Sequence, residues 1–255
     1  MRFASIGSGS EGNGLVVEAG TTRLLVDCGF GVRETTQRLA RIGVEPESLA
    51  AIVVTHEHND HAGGVAPFAA RHRIPVWLTF GTLQIIGERF DGLDHVYGFD
   101  SHDRFAIGDI DVVPFPVPHD AREPVQFVVG DGVHRLGILT DIGASTRYVE
   151  ASLGGCDALV LECNHDPEML SNCDYPWSLK QRISGRFGHL PNDGAAALLQ
   201  AIDTSKLKHV VAAHLSKQNN TPELARAALC GALGCTPDWI GIADQDVGFD
   251  WREFC

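Results

Sequence analysis

The spacing of hydrophobic and polar positions changes along this chain, and the changes mark out strands and helices. The first thirty residues alternate with period two. Arg2–Ile6, Leu15–Glu18 and Arg23–Val26 are predicted as short antiparallel strands, separated by Gly/Ser/Asn turns and by Gly20-Thr21-Thr22. Val32–Ile42 has helical spacing and stops at Gly43. A buried strand over Ile52–Thr55, a helix over Gly64–Arg71, a strand over Ile74–Leu78 and a helix over Thr79–Glu88 follow. A second strand-rich stretch takes in Arg104–Ile107, Ile110–Phe115, Val125–Val129 and His134–Thr140. The chain closes on alternation: a helix near Ser145–Ser152, a strand Ala158–Leu161, helices Trp177–Ile183 and Asn192–Ile202, and a strand His209–Ala213. A last helix, Thr221–Leu229, has Thr221-Pro222-Glu223 as its capped start. Each half runs strands first, then helices and strands in turn, with no Pro-rich linker or low-complexity tract. The expectation is one α/β domain over 1–255, sheet stacked on sheet with helices outside: a four-layered αβ/βα sandwich.

Composition narrows the class. Hydrophobic residues make up 44% of the chain, enough for a real core. Against 33 acidic residues stand 20 basic ones, a net charge of −13, which speaks against coating nucleic acid by bulk electrostatics. It leaves room for a local basic groove, and bound metal would offset part of the charge. The segment Met1–Ser8 has no signal-peptide apolar stretch, no run approaches transmembrane length, and the seven cysteines form no CxxC pair. A cytoplasmic protein with no membrane partner is expected.

The chemistry is concentrated in Thr55-His56-Glu57-His58-Asn59-Asp60-His61, directly after the apolar run Ala51–Val54. Imidazole and carboxylate ligate divalent transition metals, and four such groups in six positions exceed what one ion usually takes from one loop. Three more apolar strands end on candidate ligands: Val112–Phe115 leads to His119, Leu136–Thr140 to Asp141, and Val210–Ala213 to His214. Alone, a histidine after a strand is usually a partly buried polar residue, and Asp141 could be a turn or cap. Beside the four-ligand loop they complete seven ligands for two adjacent ions, a device for hydrolysis.

The set His56-x-His58-x-Asp60-His61, His119, Asp141 and His214 resembles, in type and order, the metallo-β-lactamase-fold hydrolases. The resemblance implies one ion on His56, His58 and His119, another on Asp60, His61 and His214, and Asp141 bridging. Asp27, in Leu24-Leu25-Val26-Asp27, would orient a ligand rather than bind metal. Flavo-diiron relatives carry Glu where this chain has His58, and the common β-lactamases carry cysteine where Asp141 stands, so neither branch fits. Histidine and carboxylate accept several metals; zinc or manganese is expected.

Within that superfamily, Ser8-Gly9-Ser10-Glu11-Gly12-Asn13, Asn164-His165-Asp166, Gly188-His189-Leu190-Pro191-Asn192 and His214-Leu215-Ser216-Lys217-Gln218-Asn219-Asn220 look like motifs of the YycJ/WalJ-type branch. Pro191 departs from the serine usual there. The branch implies a metal-dependent 5′→3′ DNA exonuclease with a role in DNA repair. Ser8, Ser10, Asn13, His165, Asn192, Asn219 and Asn220 are candidate substrate contacts, and His189 precedes a helix whose N-terminus would suit phosphate. Tyr175, Lys180, Arg182 and Arg186 mix an aromatic with positive charge, as stacking plus phosphate contact would require, or form a solvated helix face. The mechanism expected is in-line attack by a metal-generated hydroxide, with Asp60 or Asp141 taking its proton and His189 protonating the departing oxygen. The alternative is a small-molecule hydrolase of the same fold acting on a cyclic phosphodiester, thioester or lactone. Oligomeric state is not legible.

Overall fold

The computed structural model describes residues 1–254. The predicted strands form, with the first sheet built from β1 (Arg2–Gly7), β2 (Gly14–Ala19), β3 (Thr22–Val26), β4 (Ala51–Val53), β5 (Val76–Thr79) and β6 (Val96–Phe99). The second contains β7 (Phe105–Ile107), β8 (Ile110–Pro116), β9 (Val125–Gly130), β10 (Arg135–Leu139), β11 (Ala158–Glu162), β12 (His209–Ala213) and β13 (Ile240–Ile242). A last strand, β14 (Phe249–Glu253), returns to the first sheet and pairs antiparallel with β1. The orders are β14-β1-β2-β3-β4-β5-β6 and β13-β12-β11-β10-β9-β8-β7.

The layering follows from side-chain alternation. In β3, Leu24 and Val26 join the core between the sheets, whereas Leu25 turns outward against Leu39, Phe68 and Ile86 of the helices covering the first sheet. In β11, Ala158 and Val160 face the inter-sheet core, and Leu159 and Leu161 face Val149, Leu198 and Leu229 of the helices on the second. Successive strand residues point to opposite faces, so strands apolar on both faces must be covered on both. The result is the expected αβ/βα sandwich.

Outside the expected set lie the strands β6, β13 and β14, the helix Pro167–Asn172, and short 3-10 turns at Pro46–Ser48 and Pro237–Trp239. β13 is Ile-Gly-Ile, too short for a period to register, and β14 (Phe-Asp-Trp-Arg-Glu) gains its partner from the opposite end of the chain. The metal-ligand segment, expected as a loop, contains a one-turn helix, Asn59–Ala62. No helix among the described residues is long and apolar enough to cross a membrane.

Candidate metal centre

Strand direction collects the site. β8 and β10 both run antiparallel to β9, and β10, β11 and β12 run parallel, so these four strands end along one edge of their sheet. His119, Asp141 and His214 follow three of those ends, and Glu162 is the last residue of β11. From the first sheet, the parallel pair β3 and β4 brings Asp27 and the His56–His61 segment to the same place. Two glycines let the chain come close enough: a Cβ on Gly29 would lie 2.0 Å from the Asp60 carbonyl oxygen, and one on Gly64 would lie 1.8 Å from that of Phe30.

The seven expected ligands fall into two groups. His56, His58 and His119 present nitrogens within 4.8 Å of one another, and so do the ligand atoms of Asp60, His61, Asp141 and His214. Asp141 stands between the groups. One of its oxygens is 3.8 Å from His56 Nε2 and packs against His61 Nε2; the other is 3.7 Å from His214 Nε2. His214 Nε2 is also 3.3 Å from Asp60 Oδ2.

Four of these rings are turned by a contact at the nitrogen away from the cluster. His61 Nδ1 donates to Asp27 Oδ2 at 2.7 Å, and Asp27 also accepts from the Thr55 amide and hydroxyl at 2.8 Å each. His119 Nδ1 donates to the Gly188 carbonyl at 2.9 Å, and His58 Nε2 to that of Asp120 at 3.2 Å. His214 Nδ1 meets the Asn164 amide nitrogen at 3.2 Å, and Ser8 Oγ accepts from the His214 backbone amide. Such outer contacts fix which imidazole nitrogen is free to ligate. Asp27 and His214 both hold φ values above +50°, strain that is tolerated where neighbours over-determine the backbone. Replacing Asp27 with Asn keeps the shape but loses the carboxylate; metal affinity should fall about 10- to 100-fold, measured by chelator competition.

The chain leaves a metal-sized deficit here. His56 Nε2 and both Asp141 oxygens are buried without a hydrogen bond. Buried polar atoms are rarely left so, and a donor set of five imidazoles and two carboxylates suits divalent transition ions. The residues therefore fit the implied metals.

Charges are set by burial and by mutual fields. Burial holds His56 and His119 below the ordinary histidine pKa. Burial also opposes ionisation of Asp141, but His214 and His61 outweigh it and keep the carboxyl well below its usual range. His189 shows the same contest with opposite sign: burial is overcome by Glu162 and Asp141, and its pKa rises to about 11.

Glu162 is the residue the sequence reading passed over. Fully buried, it accepts from the Ile142 and Leu190 amides at 2.8 and 3.2 Å and from His189 Nδ1 at 2.8 Å. His189 Nδ1 also lies 2.9 Å from Asp141 Oδ1. The available signal was a charged residue closing the apolar run Ala158-Leu159-Val160-Leu161, the pattern that singled out Asp141.

The expected substrate contacts are placed unevenly. Asn13, in the turn between β1 and β2, is buried against the His56–His61 segment, its amide nitrogen 3.0 Å from His61 Nε2 and 3.2 Å from the Asp60 carbonyl, and its oxygen accepts from Ser8 Oγ. Asn192 and Asn220 are spent on each other through reciprocal amide bonds of 2.8 and 2.9 Å. Asn219 is buried with its side-chain oxygen unpartnered. Arg182 is held by Asp120 at 2.7 Å, which joins its helix to the loop carrying His119. Lys180 donates to the Ser171 carbonyl at 2.7 Å. Ser10 and Arg186 are exposed, Tyr175 is half-buried, and His165 is buried beside a cleft.

Comparison with known proteins agrees with this geometry. The β-lactamase superfamily domain matches residues 22–214. The exodeoxyribonuclease YycJ of Bacillus anthracis is 34% identical over 91% of this chain and 89% of its own. The exodeoxyribonuclease WalJ of Streptococcus pneumoniae is 33% identical over 100% of this chain and 93% of its own. A hydroxyacylglutathione hydrolase of Halorhodospira halophila is 66% identical over 79% of this chain and 77% of its own. In three dimensions the metallo-β-lactamase fold protein YhfI of Bacillus subtilis aligns over 99% of both chains, with a TM-score of 0.76 at 17% identity.

Proposed function

The chain belongs to the β-lactamase superfamily, in its YycJ/WalJ exodeoxyribonuclease branch, and on that premise we propose that it is a dinuclear-metal-dependent 5′→3′ DNA exonuclease. The observation that carries the hydrolytic reading is Asp141: a buried carboxylate between two histidine groups, with both oxygens unsatisfied and His189 against it. DNA as the substrate, and the 5′ polarity, come from the relatives named exodeoxyribonuclease and from the motifs they share.

His56, His58 and His119 would hold one ion, and Asp60, His61 and His214 the other, with Asp141 common to both. Bound there, zinc or manganese would supply Lewis acidity and water acidified toward neutral pH. Asp60 and Asp141 are the groups placed to take a proton from the attacking water. As the P–O3′ bond breaks, the departing oxygen needs a proton. His189 is the donor: Nδ1 is fixed by its hydrogen bond to Glu162, with Asp141 alongside, and Nε2 is the nitrogen left for the substrate. Glu162 positions that ring and keeps it charged.

A second reading, thioester hydrolysis, is favoured by the match to a hydroxyacylglutathione hydrolase. That match covers 79% of this chain, whereas the match to WalJ covers all of it. The test is metal-loaded protein on 5′-labelled and 3′-labelled DNA, single-stranded and duplex, beside bis-p-nitrophenyl phosphate and a thioester. Mononucleotide release from the 5′ end alone is the expected result. Thioester turnover with intact DNA would establish the second reading instead.

A further inference from the structure

A cleft of ≈ 300 Å³ is walled by His165, Pro167, Leu170, Trp177, Lys180 and Pro191. It shares two walls with the catalytic edge. The His189 backbone amide donates at 2.8 Å to the carbonyl of Ile183, the last residue of the helix Trp177–Ile183 that carries Trp177 and Lys180. Two residues on, Pro191 bridges to His165, and the Asn192 amide donates to the His165 carbonyl at 2.9 Å.

The lining is that of a nucleotide subsite. Trp177 is 73% exposed, a large apolar plane left in water on a strongly acidic protein. Pro167, Pro191 and the buried Leu170 line the same cleft. Lys180 spends one N–H on Ser171 and keeps two for an anion. Exposed Asp193 at the rim is the one acidic lining residue. The volume is at the small end for ligand pockets, about 300–1,000 Å³, which suits one nucleoside rather than a strand.

Reaction chemistry says which nucleoside. When a 5′ exonuclease breaks P–O3′, the leaving oxygen belongs to the 5′-terminal nucleotide, and His189 must stand beside that oxygen to protonate it. The cleft wall at Pro191 lies two residues along the chain from His189, and the wall helix Trp177–Ile183 is tied to the His189 amide. We infer that the cleft receives the 5′-terminal nucleotide, with the base stacked on Trp177 and the 5′-phosphate near Lys180. This assignment rests on the exonuclease reading above and adds the seat of the departing residue.

The experiment uses full-length, metal-loaded protein and a 5′-phosphorylated single-stranded oligodeoxynucleotide. Trp177→Ala should raise KM about five- to a hundredfold, the range base–aromatic stacking gives, with a smaller change in kcat; Trp177→Phe should recover most of the loss. On a phosphorothioate-linked strand that resists cleavage, 2-aminopurine at the 5′ terminus should be quenched on binding to the metal-loaded wild type, unlike 2-aminopurine six nucleotides in, and the quench should vanish in Trp177→Ala. Melting curves of the variants should match wild type, because the indole is mostly in water. Wild type that degrades DNA while Trp177→Ala keeps its KM and its quench overturns the cleft assignment and leaves the nuclease reading standing. Wild type that leaves DNA intact overturns both.

Discussion

Asp141→Ala should bind fewer than two equivalents of metal and lose at least about a thousandfold in turnover. The size follows from what metal does in hydrolysis: several kcal/mol of charge stabilisation, each 1.36 kcal/mol being a tenfold change in rate. Asp141 reaches both histidine clusters, through His56 on one side and His61 and His214 on the other. On the two-ion reading its loss would weaken both ions, where the loss of His58 would weaken one. Folding is separable from ligation. Ions that bind only the native state raise stability by about 2.7 kcal/mol at a hundredfold excess over Kd. Wild type should show a metal-dependent rise in Tm, and Asp141→Ala should show little of it while keeping the melting point of metal-free wild type. Two equivalents bound by the variant, measured by elemental analysis after gel filtration, would refute the shared-ligand arrangement.

His189→Ala should behave in the opposite way: full metal content, with kcat on DNA down by about 10²- to 10⁴-fold, the usual worth of a general acid. His119 and His214 keep their own contacts, to Gly188 and Asn164, so the ligand geometry stands without His189. The leaving group gives the sharper test. A 3′-alkoxide needs a proton as it departs; p-nitrophenolate does not. The variant should lose much less on bis-p-nitrophenyl phosphate than on DNA. Equal losses on the two substrates would remove the proton-donor role and leave His189 a phosphate contact. Glu162→Gln, which keeps the ring's neighbour but not its charge, should fall between wild type and His189→Ala.

Much of this candidate centre was legible because its expected ligands are local in sequence or end apolar runs. His56, His58, Asp60 and His61 lie in one short segment, and His119, Asp141 and His214 each follow a strand that its own apolar run marks. The outer contacts were less legible. Asp27 could be placed beside a ligand only by resemblance, and its bond to His61 crosses 34 positions. Glu162 closes an apolar run as Asp141 does, but it ends a strand fully buried along its length, and which partner such a charge meets is set by the fold. Asn192 and Asn220 lie in segments rich in polar donors, yet each satisfies the other across 28 positions, a pairing no local pattern encodes.

Periodicity and composition, then, determined the alternation of strands and helices and the double-faced burial of the strands, and the local motifs marked out the seven candidate ligands, because these depend on residues near one another along the chain. The packing of two sheets decided the rest: that the ligand-bearing ends share one edge, that Asp141 lies between the two groups, that Glu162 and not solvent meets His189, and that Trp177 borders a cleft. Distance in space between segments remote in sequence is fixed only when the cores between and outside the sheets close.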